Sequence, residues 1–218
     1  MRLLITDDHP LFRAALRQAV SQCVPGVEIA EAADLESAHM DLEAHPQTDL
    51  VSLDLHMPGV SGLAGLAALR CRHPSVAVVV VSAHDDPAVV RRALAHGAQS
   101  FIPKNADLDQ LGEAFAAVFR CEEWIPPAMR AAVAAAEAPA DEELAARLAS
   151  LTAQQFRVLE MVGQGLLNKQ IADRLGIAER TVKAHVGDVF TKLGVRNRTQ
   201  AGVLFQRLEL SDPARAPV

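Results

Sequence analysis

Five residues of types that can do chemistry each close a short apolar run in the first half of the chain. Asp7 and Asp8 follow LLIT, Asp54 ends the run LVSLDL, Ser82 ends VAVVVVS, and Lys104 follows SFIP. Taken singly, an Asp after such a run is a turn or a helix cap, Ser82 a turn, and Lys104 a solvated surface lysine. Taken together they suggest something else. If the runs are strands of one open parallel sheet, all five residues meet beyond its carboxyl edge, where such sheets bind ligands. Crowded carboxylates repel, and a hard divalent cation resolves the repulsion. Mg²⁺ takes about six oxygens, many of them water, from one or two carboxylates plus carbonyl and phosphate oxygens.

The elements that would place these residues are visible in the pattern. Residues 1–120 alternate LLIT, VEIAE, LVSLDL, VAVVVVS and SFIP with longer stretches of helical periodicity, the first opening on Pro10 and the fourth closing on Gly97. Strands alternating with helices of 10–15 residues predict βαβ units and a parallel sheet. VAVVVV, apolar without alternation, predicts a strand covered on both faces. Residues 121–150 differ: Pro126, Pro127 and Pro139 interrupt an alanine- and glutamate-rich stretch, which reads as a partly helical linker. Beyond it LTAQQFRVLEMVGQG, NKQIADRLG, AERTVKAHVGDVFTKLG and TQAGVLFQRLEL predict four helices and no strand.

Charge divides the chain at the same place. Residues 1–149 carry 11 Lys+Arg against 21 Asp+Glu, and residues 150–218 carry 10 against 6, within an overall charge of −6. A basic second domain suits a phosphate-bearing partner. No apolar run approaches the roughly 18–20 residues of a membrane helix, and the N-terminus lacks the regions of a signal peptide. The odd and widely spaced Cys23, Cys71 and Cys121 are expected as reduced, mostly core thiols of a cytoplasmic protein.

Residues 1–120 resemble the receiver domain of bacterial two-component response regulators, through the DD pair, LDLHMPGVSG, VVSA and FIPK. The resemblance implies a flavodoxin-like (βα)5 fold with five parallel strands in the order 2-1-3-4-5. It makes Asp54 the acceptor of a phosphoryl group from a sensor histidine kinase or a small phosphodonor. Asp8, Asp54 and the backbone carbonyl of His56 become the Mg²⁺ ligands, with Asp7 acting largely through water. Lys104 and Ser82 become partners of the phosphoryl group, and Phe101 the aromatic that turns inward as the Ser82 loop moves. Some positions depart from the family pattern. Ser52 stands where an apolar residue is commoner, Ser82 replaces Thr, and Phe101 lacks a phenolic hydroxyl. His9, His56, His84 and His96 show no metal spacing and read as surface or loop residues, His56 mattering only through its carbonyl.

Residues 151–210 resemble the helix-turn-helix of the LuxR/NarL/FixJ regulators. Thr152 with Gln155 predicts a capping box at the first helix. In RTVKAHVGDVFTKL, Val182, Val186, Val189, Phe190 and Leu193 recur at helical spacing and predict the buried face. Arg180, Lys183, Ala184, Gly187 and Asp188 are left outward, on the surface that would enter a major groove. The resemblance implies base contacts by Lys183 and Ala184, phosphate contacts by Lys169, Thr181, His185, Lys192, Arg196 and Arg198, and a place for Arg180 among the DNA-binding residues. Arg196 and Arg198 have an alternative, structural reading as partners of carbonyls between the last helices. Gly187 stands where relatives carry a longer polar side chain, Ala178 where Ser or Thr caps the helix, and Gln154 and Gln155 where acidic residues are usual. In the last helix Ala201, Leu204, Phe205 and Leu208 could pair two copies or pack inward.

The expectation is therefore a cytoplasmic regulator, not an enzyme: receiver (1–120), linker (121–150) and a four-helix DNA-binding domain (151–218) that binds promoter DNA as a homodimer. The unphosphorylated acidic receiver is expected to cover the basic domain until phosphorylation releases it. The rival readings are an orphan regulator independent of phosphorylation, a phosphate sink or protein-docking module, and a Mg²⁺-dependent phosphatase, which would ordinarily show DxD where this chain has DDH.

Overall fold

The computed structural model describes residues 1–57, 60–137 and 139–208, with the backbone alone at residues 60 and 61. Pro58, Gly59 and the last residues, 209–218, lie outside the described residues. Five strands, β1 (Arg2–Thr6), β2 (Glu28–Ala32), β3 (Leu50–Asp54), β4 (Ala77–Ser82) and β5 (Ser100–Pro103), form one all-parallel sheet in the order 2-1-3-4-5. A ribbon of two residues a side, His56–Met57 with Val60–Ser61, stands apart from it. Period-2 alternation sorts the strands into two cores. Leu3, Ile5, Val79, Val81 and Ile102 face α1 (Pro10–Cys23) and α5 (Leu108–Phe119). Leu4, Val51, Leu53, Val80 and Phe101 face the opposite way, toward α2 (Leu35–Ala44), α3 (Leu63–Arg72) and α4 (Pro87–Ala95). A sheet covered on both sides needs continuous apolar strands, which explains VAVVVV.

Polar atoms at the helix starts are satisfied locally. Asp34 with Ser37 and Asp107 with Gln110 form capping boxes at α2 and α5, and Pro10 and Pro87 open α1 and α4. After α5 the chain runs beside β5: Trp124 N–H donates to Ser100 Oγ at 2.8 Å, and Trp124 C=O accepts from Phe101 N–H. Two short helices then follow, α6 (Arg130–Ala135) after a turn of 3₁₀ helix and α7 (Pro139–Ala149), the second starting at the proline that breaks the pattern.

The helical remainder comprises α8 (Ala153–Gly163), α9 (Asn168–Leu175), α10 (Glu179–Leu193) and α11 (Arg198–Gln206). Thr152 and Gln155 form the expected capping box, and α9 and α10 end on left-handed glycines, Gly176 and Gly194. Of the four candidate pairing residues, Ala201 and Leu208 are buried, Leu204 and Phe205 half-buried against the core, and Val203 is the exposed apolar residue of α11. The receiver packs α3 on α7 and α8, and α4 on α6 and α7. Cys71 Sγ–H donates to Leu151 C=O across this junction. Cys23 and Cys121, by contrast, are exposed and not core thiols, since each falls where a helix ends at the surface.

Candidate functional site

The parallel register ends β1, β3, β4 and β5 at one edge, and the five residues expected to meet there do so. Lys104 Nζ lies 2.7 Å from Asp7 Oδ2 and 2.8 Å from Asp54 Oδ2, and stands 4.8 Å over the Phe12 ring. The Asp7 and Asp54 side chains are only 2% exposed, while Asp8 is 26% exposed. Backbone donors fix the remaining carboxylate oxygens: His9 N–H donates to Asp7 Oδ1 at 2.8 Å, and His56 N–H to Asp54 Oδ1 at 3.1 Å. Lys104 N–H donates to Ser82 C=O at 2.8 Å, tying β5 to β4. Burial pulls the Lys104 ammonium toward neutrality, but hydrogen bonds and charges from Asp54 and Asp7 outweigh it and hold its pKa above the ordinary lysine value.

The donor set suits a hard cation. Ligand atoms of Asp7, Asp8, His9 and Asp54 lie within 4.8 Å of one another, and Asp8 Oδ1 is buried with no hydrogen bond other than its ionic contact to His9 Nδ1 at 2.7 Å. A second Nδ1 contact, 3.3 Å to Asp7 Oδ1, makes His9, an exposed loop residue as expected, a member of the site as well. The His56 side chain was also underrated. Its ring lies 4.2 Å from that of His84, and the pair walls a cleft of about 630 Å³ with Leu11, Phe12 and Lys104. Ser82 is fully buried, its Oγ accepting from His84 N–H at 3.2 Å, and Phe101 is fully buried in the core. His96 is buried as well, its Nε2 placed 3.4 Å from Asp141 of α7. A partner 45 residues away leaves no local signal.

On α10, Val182, Val189 and Leu193 are buried and Val186 and Phe190 half-buried, while Arg180, Lys183, Ala184 and Gly187 are exposed. Thr181 and His185 are half-buried beside them, and Lys169 and Arg196 are exposed on neighbouring segments. Two cations expected at phosphates are held elsewhere. Lys192 Nζ donates to Ser150 C=O at 2.7 Å and Gln155 Oε1 at 2.8 Å, and Arg198 donates to Leu166 C=O and Asn168 Oδ1. Backbone carbonyls left over at loop and helix ends take these cations first. Asp188, outward as expected, accepts from Gln155 Nε2 at 3.3 Å. Among the described residues the receiver meets the basic domain at α8 and at the end of α11, and no element of it makes a comparable contact with α10.

Two family models match the chain. The family model described as the response regulator receiver domain matches residues 3–116, and that of the luxR family of bacterial regulatory proteins matches residues 149–205. The glycerol metabolism activator of Pseudomonas putida is 42% identical over 204 residues, 92% of each chain. The nitrate/nitrite response regulator protein NarP of Escherichia coli (strain K12) is 36% identical over 94% of each. Among solved structures, the RcsB response regulator of Salmonella typhimurium superposes with a TM-score of 0.58 at 21% identity, over 93% of this chain and 98% of that one. An RcsB–DNA complex superposes with a TM-score of 0.54 at 21% identity, over 94% and 98%. At that identity the likeness is one of fold.

Proposed function

This chain belongs to the NarL/FixJ family of two-component response regulators, and from that membership we propose how its own residues carry out the family's work. It is a phosphorylation-regulated, DNA-binding transcription regulator that works with a kinase or phosphodonor and with promoter DNA. The observation that carries the residue assignment is the shared ion pair of Lys104 with Asp7 and Asp54 at the sheet's carboxyl edge.

Asp54 is the nucleophile. One carboxylate oxygen forms a bond to phosphorus as the donor's P–N bond (phosphohistidine) or P–O bond (acyl phosphate) breaks, and the donor departs with that electron pair. Asp8, Asp54 and the His56 carbonyl would hold Mg²⁺, with Asp7 acting mainly through water. The ion, when bound, offsets the charge of the phosphoryl oxygens. Lys104 exchanges its Asp54 contact for a phosphoryl oxygen, which a mobile point charge on a flexible stem can do. Ser82 turns its hydroxyl from His84 N–H to another phosphoryl oxygen and draws the 83–86 loop inward. Phe101 is already packed inside, so its part in any switch is packing alone.

At the other end Lys183 and Ala184 meet base edges, Lys donating to guanine and the alanine methyl meeting thymine. Arg180, Thr181, His185, Lys169 and Arg196 contact phosphates, and Lys192 and Arg198 brace the domain. We assign residues 1–120 to the receiver, 121–150 to the linker and 151–218 to the DNA-binding domain, in a protein of the cytoplasm. No helix among the described residues is long and apolar enough to cross a membrane. Genome-wide DNA capture comparing wild type with Asp54→Ala and Lys183→Ala tests the assignment. Asp54→Ala should weaken capture at the wild-type sites and Lys183→Ala should lose site selectivity. Unchanged site lists for both would refute it.

A further inference from the structure

Two carboxylates stand on the outward side of α10, and one of them is tied into the domain. Asp188 accepts from Gln155 Nε2 at 3.3 Å. Glu179, the first residue of the helix, instead pairs with Lys183 one turn further on, Oε1 to Nζ 3.4 Å. Both side chains of that pair are well exposed, Glu179 at 48% and Lys183 at 66%. Gly187 continues the same stripe after another turn and carries nothing, since a Cβ there would meet no atom within 4 Å. Beyond it Thr191 Oγ–H donates to Gly187 C=O, and Lys192 is held by Ser150 and Gln155. The groups that reach outward are therefore concentrated in the first two turns, at Glu179, Arg180, Lys183 and Ala184.

A glutamate at the start of α10 has a modest structural use. It sits at the positive end of the helix dipole and pairs with a lysine four residues on, and each stabilises an exposed helix only slightly. Against DNA the same position is costly. A recognition helix presents its N-terminal residues to base edges, and a carboxylate brought between two rows of phosphates is repelled and loses water. Two things offset that cost: a neighbouring cation, which Lys183 supplies, and a base amino group donating to the carboxylate.

The major-groove edge of a C·G pair offers both partners side by side. Guanine presents the acceptors N7 and O6, and cytosine presents its N4 amino donor next to O6. Glu179 and Lys183 present the complement, an acceptor and a donor 3.4 Å apart. We propose that Glu179 is a specificity-determining residue: with Lys183 on guanine, its carboxylate accepts from N4 of the cytosine in the same base pair, so one ion pair reads one C·G pair. Other pairs in that place are rejected. If adenine replaces guanine, thymine sets its O4 acceptor and methyl group against the carboxylate. If the pair is reversed, guanine sets O6 and N7 against it. In either case the carboxylate is desolvated without a donor, and the unpaired charge counts against the wrong site. The inference rests on Lys183 meeting guanine, as proposed above, and adds the residue that reads the other base.

The test uses the full chain with Mg²⁺ and the phosphoryl analogue beryllofluoride, as wild type, the near-isosteric Glu179→Gln, Glu179→Ala and Lys183→Ala. Each selects binding sites from a random duplex library. Wild type should enrich a C·G pair at one position of each half-site. Both Glu179 variants should lose at least about fivefold of the preference for C·G over A·T there and keep the rest of the site. Lys183→Ala should lose the preference at the same position. A glutamate that only steadies the helix predicts a different outcome. Glu179→Gln would then tighten binding evenly across all sequences, by removing a charge near phosphates, and would leave the selected site unchanged. That result overturns the proposal. If Lys183→Ala abolishes the C·G preference while Glu179→Gln keeps it, the guanine contact stands and the role of Glu179 falls. If Lys183→Ala keeps the preference, or wild type enriches no site, the guanine contact falls and the paired reading with it.

Discussion

Lys104 holds its ammonium between Asp7 and Asp54, 2.7 Å from one carboxylate and 2.8 Å from the other, so one cation serves two buried anions. Removing it leaves both uncompensated in a poorly solvated pocket. Lys104→Ala should therefore destabilise the metal-free receiver by about 3–5 kcal/mol, the usual result of deleting one partner of a buried pair. Saturating Mg²⁺ should recover part of that loss, because a divalent ion offsets the same charges. Urea unfolding with chelator and with Mg²⁺ measures both; equal losses in the two buffers would contradict the shared counterion.

Asp7 and Asp8 are adjacent but differently placed. Asp7 is buried and already engaged by Lys104 and by His9 N–H, whereas Asp8 is partly exposed with His9 as its ionic contact. Asp8→Asn should weaken Mg²⁺ binding at least ~10-fold, about 1.4 kcal/mol, and Asp7→Asn by less. His9→Ala should tighten binding modestly, since the imidazole competes for Asp8. Calorimetric titration of the three variants decides the order, and a greater loss for Asp7→Asn would reverse the assignment.

This acidic edge was legible because each of its residues closes its own strand, and parallel strands bring their ends together whatever lies between. The five strands and the helix-turn-helix were legible for the same reason, as both are local patterns. Other features depend on a partner far along the chain. His96 reads as a loop histidine until α7 brings Asp141 to it, and Lys192 reads as a phosphate-binding cation until Ser150 offers its carbonyl, whereas Arg198 takes the structural alternative open to it, on the Leu166 carbonyl. Likewise Arg92 reaches the backbone oxygen of Arg207, and backbone oxygens carry no sequence signature.

Two titrating groups at the domain junction make stability depend on pH in opposite senses. Burial, opposed by Arg72 and Arg157, pushes the Glu160 carboxyl up to about 7. Burial, aided by the charges of Arg72, His73 and Arg157, pushes His39 down to about 3. The raised carboxyl contributes stability that is fully present below its unfolded value, about 4.5, and lost as pH rises through about 7. The depressed imidazole contributes stability present above about 6.5 and lost as pH falls toward 3. Between about 4.5 and 6.5 the two oppose each other, leaving a plateau. Denaturant unfolding from pH 4 to 8 should show it, and Glu160→Gln should remove the carboxyl's contribution, about 3 kcal/mol between about pH 4.5 and 7, so that stability rises with pH across the former plateau.

Gly163 closes α8 where the Phe205 ring of α11 packs against it. A Cβ there would sit 2.6 Å from Phe205 Cδ1, so the ring would have to leave its edge-on contact with Phe156. Gly163→Ala should cost about 1–3 kcal/mol through overpacking, in spite of alanine's better helix propensity. Pairing it with Phe205→Leu should recover part of the loss in a double-mutant cycle; strict additivity would refute the contact.

Gly187 presents the opposite case. It lies exposed in mid-α10, and a Cβ would meet nothing within 4 Å, so the folded domain has no steric need for glycine there. Gly187→Ala should stabilise the helix by about 1 kcal/mol. Ala178→Ser should add a similar amount by supplying the N-cap acceptor that α10 lacks, and the two gains should add. Slower hydrogen exchange of α10 amides measures both. If the glycine serves instead to let the helix approach DNA closely, Gly187→Ala will bind a captured genomic site more weakly while its helix is more stable, whereas Ala178→Ser will not. Equal DNA affinity in both variants would remove Gly187 from the reading surface and leave Lys183 and Ala184 to carry it.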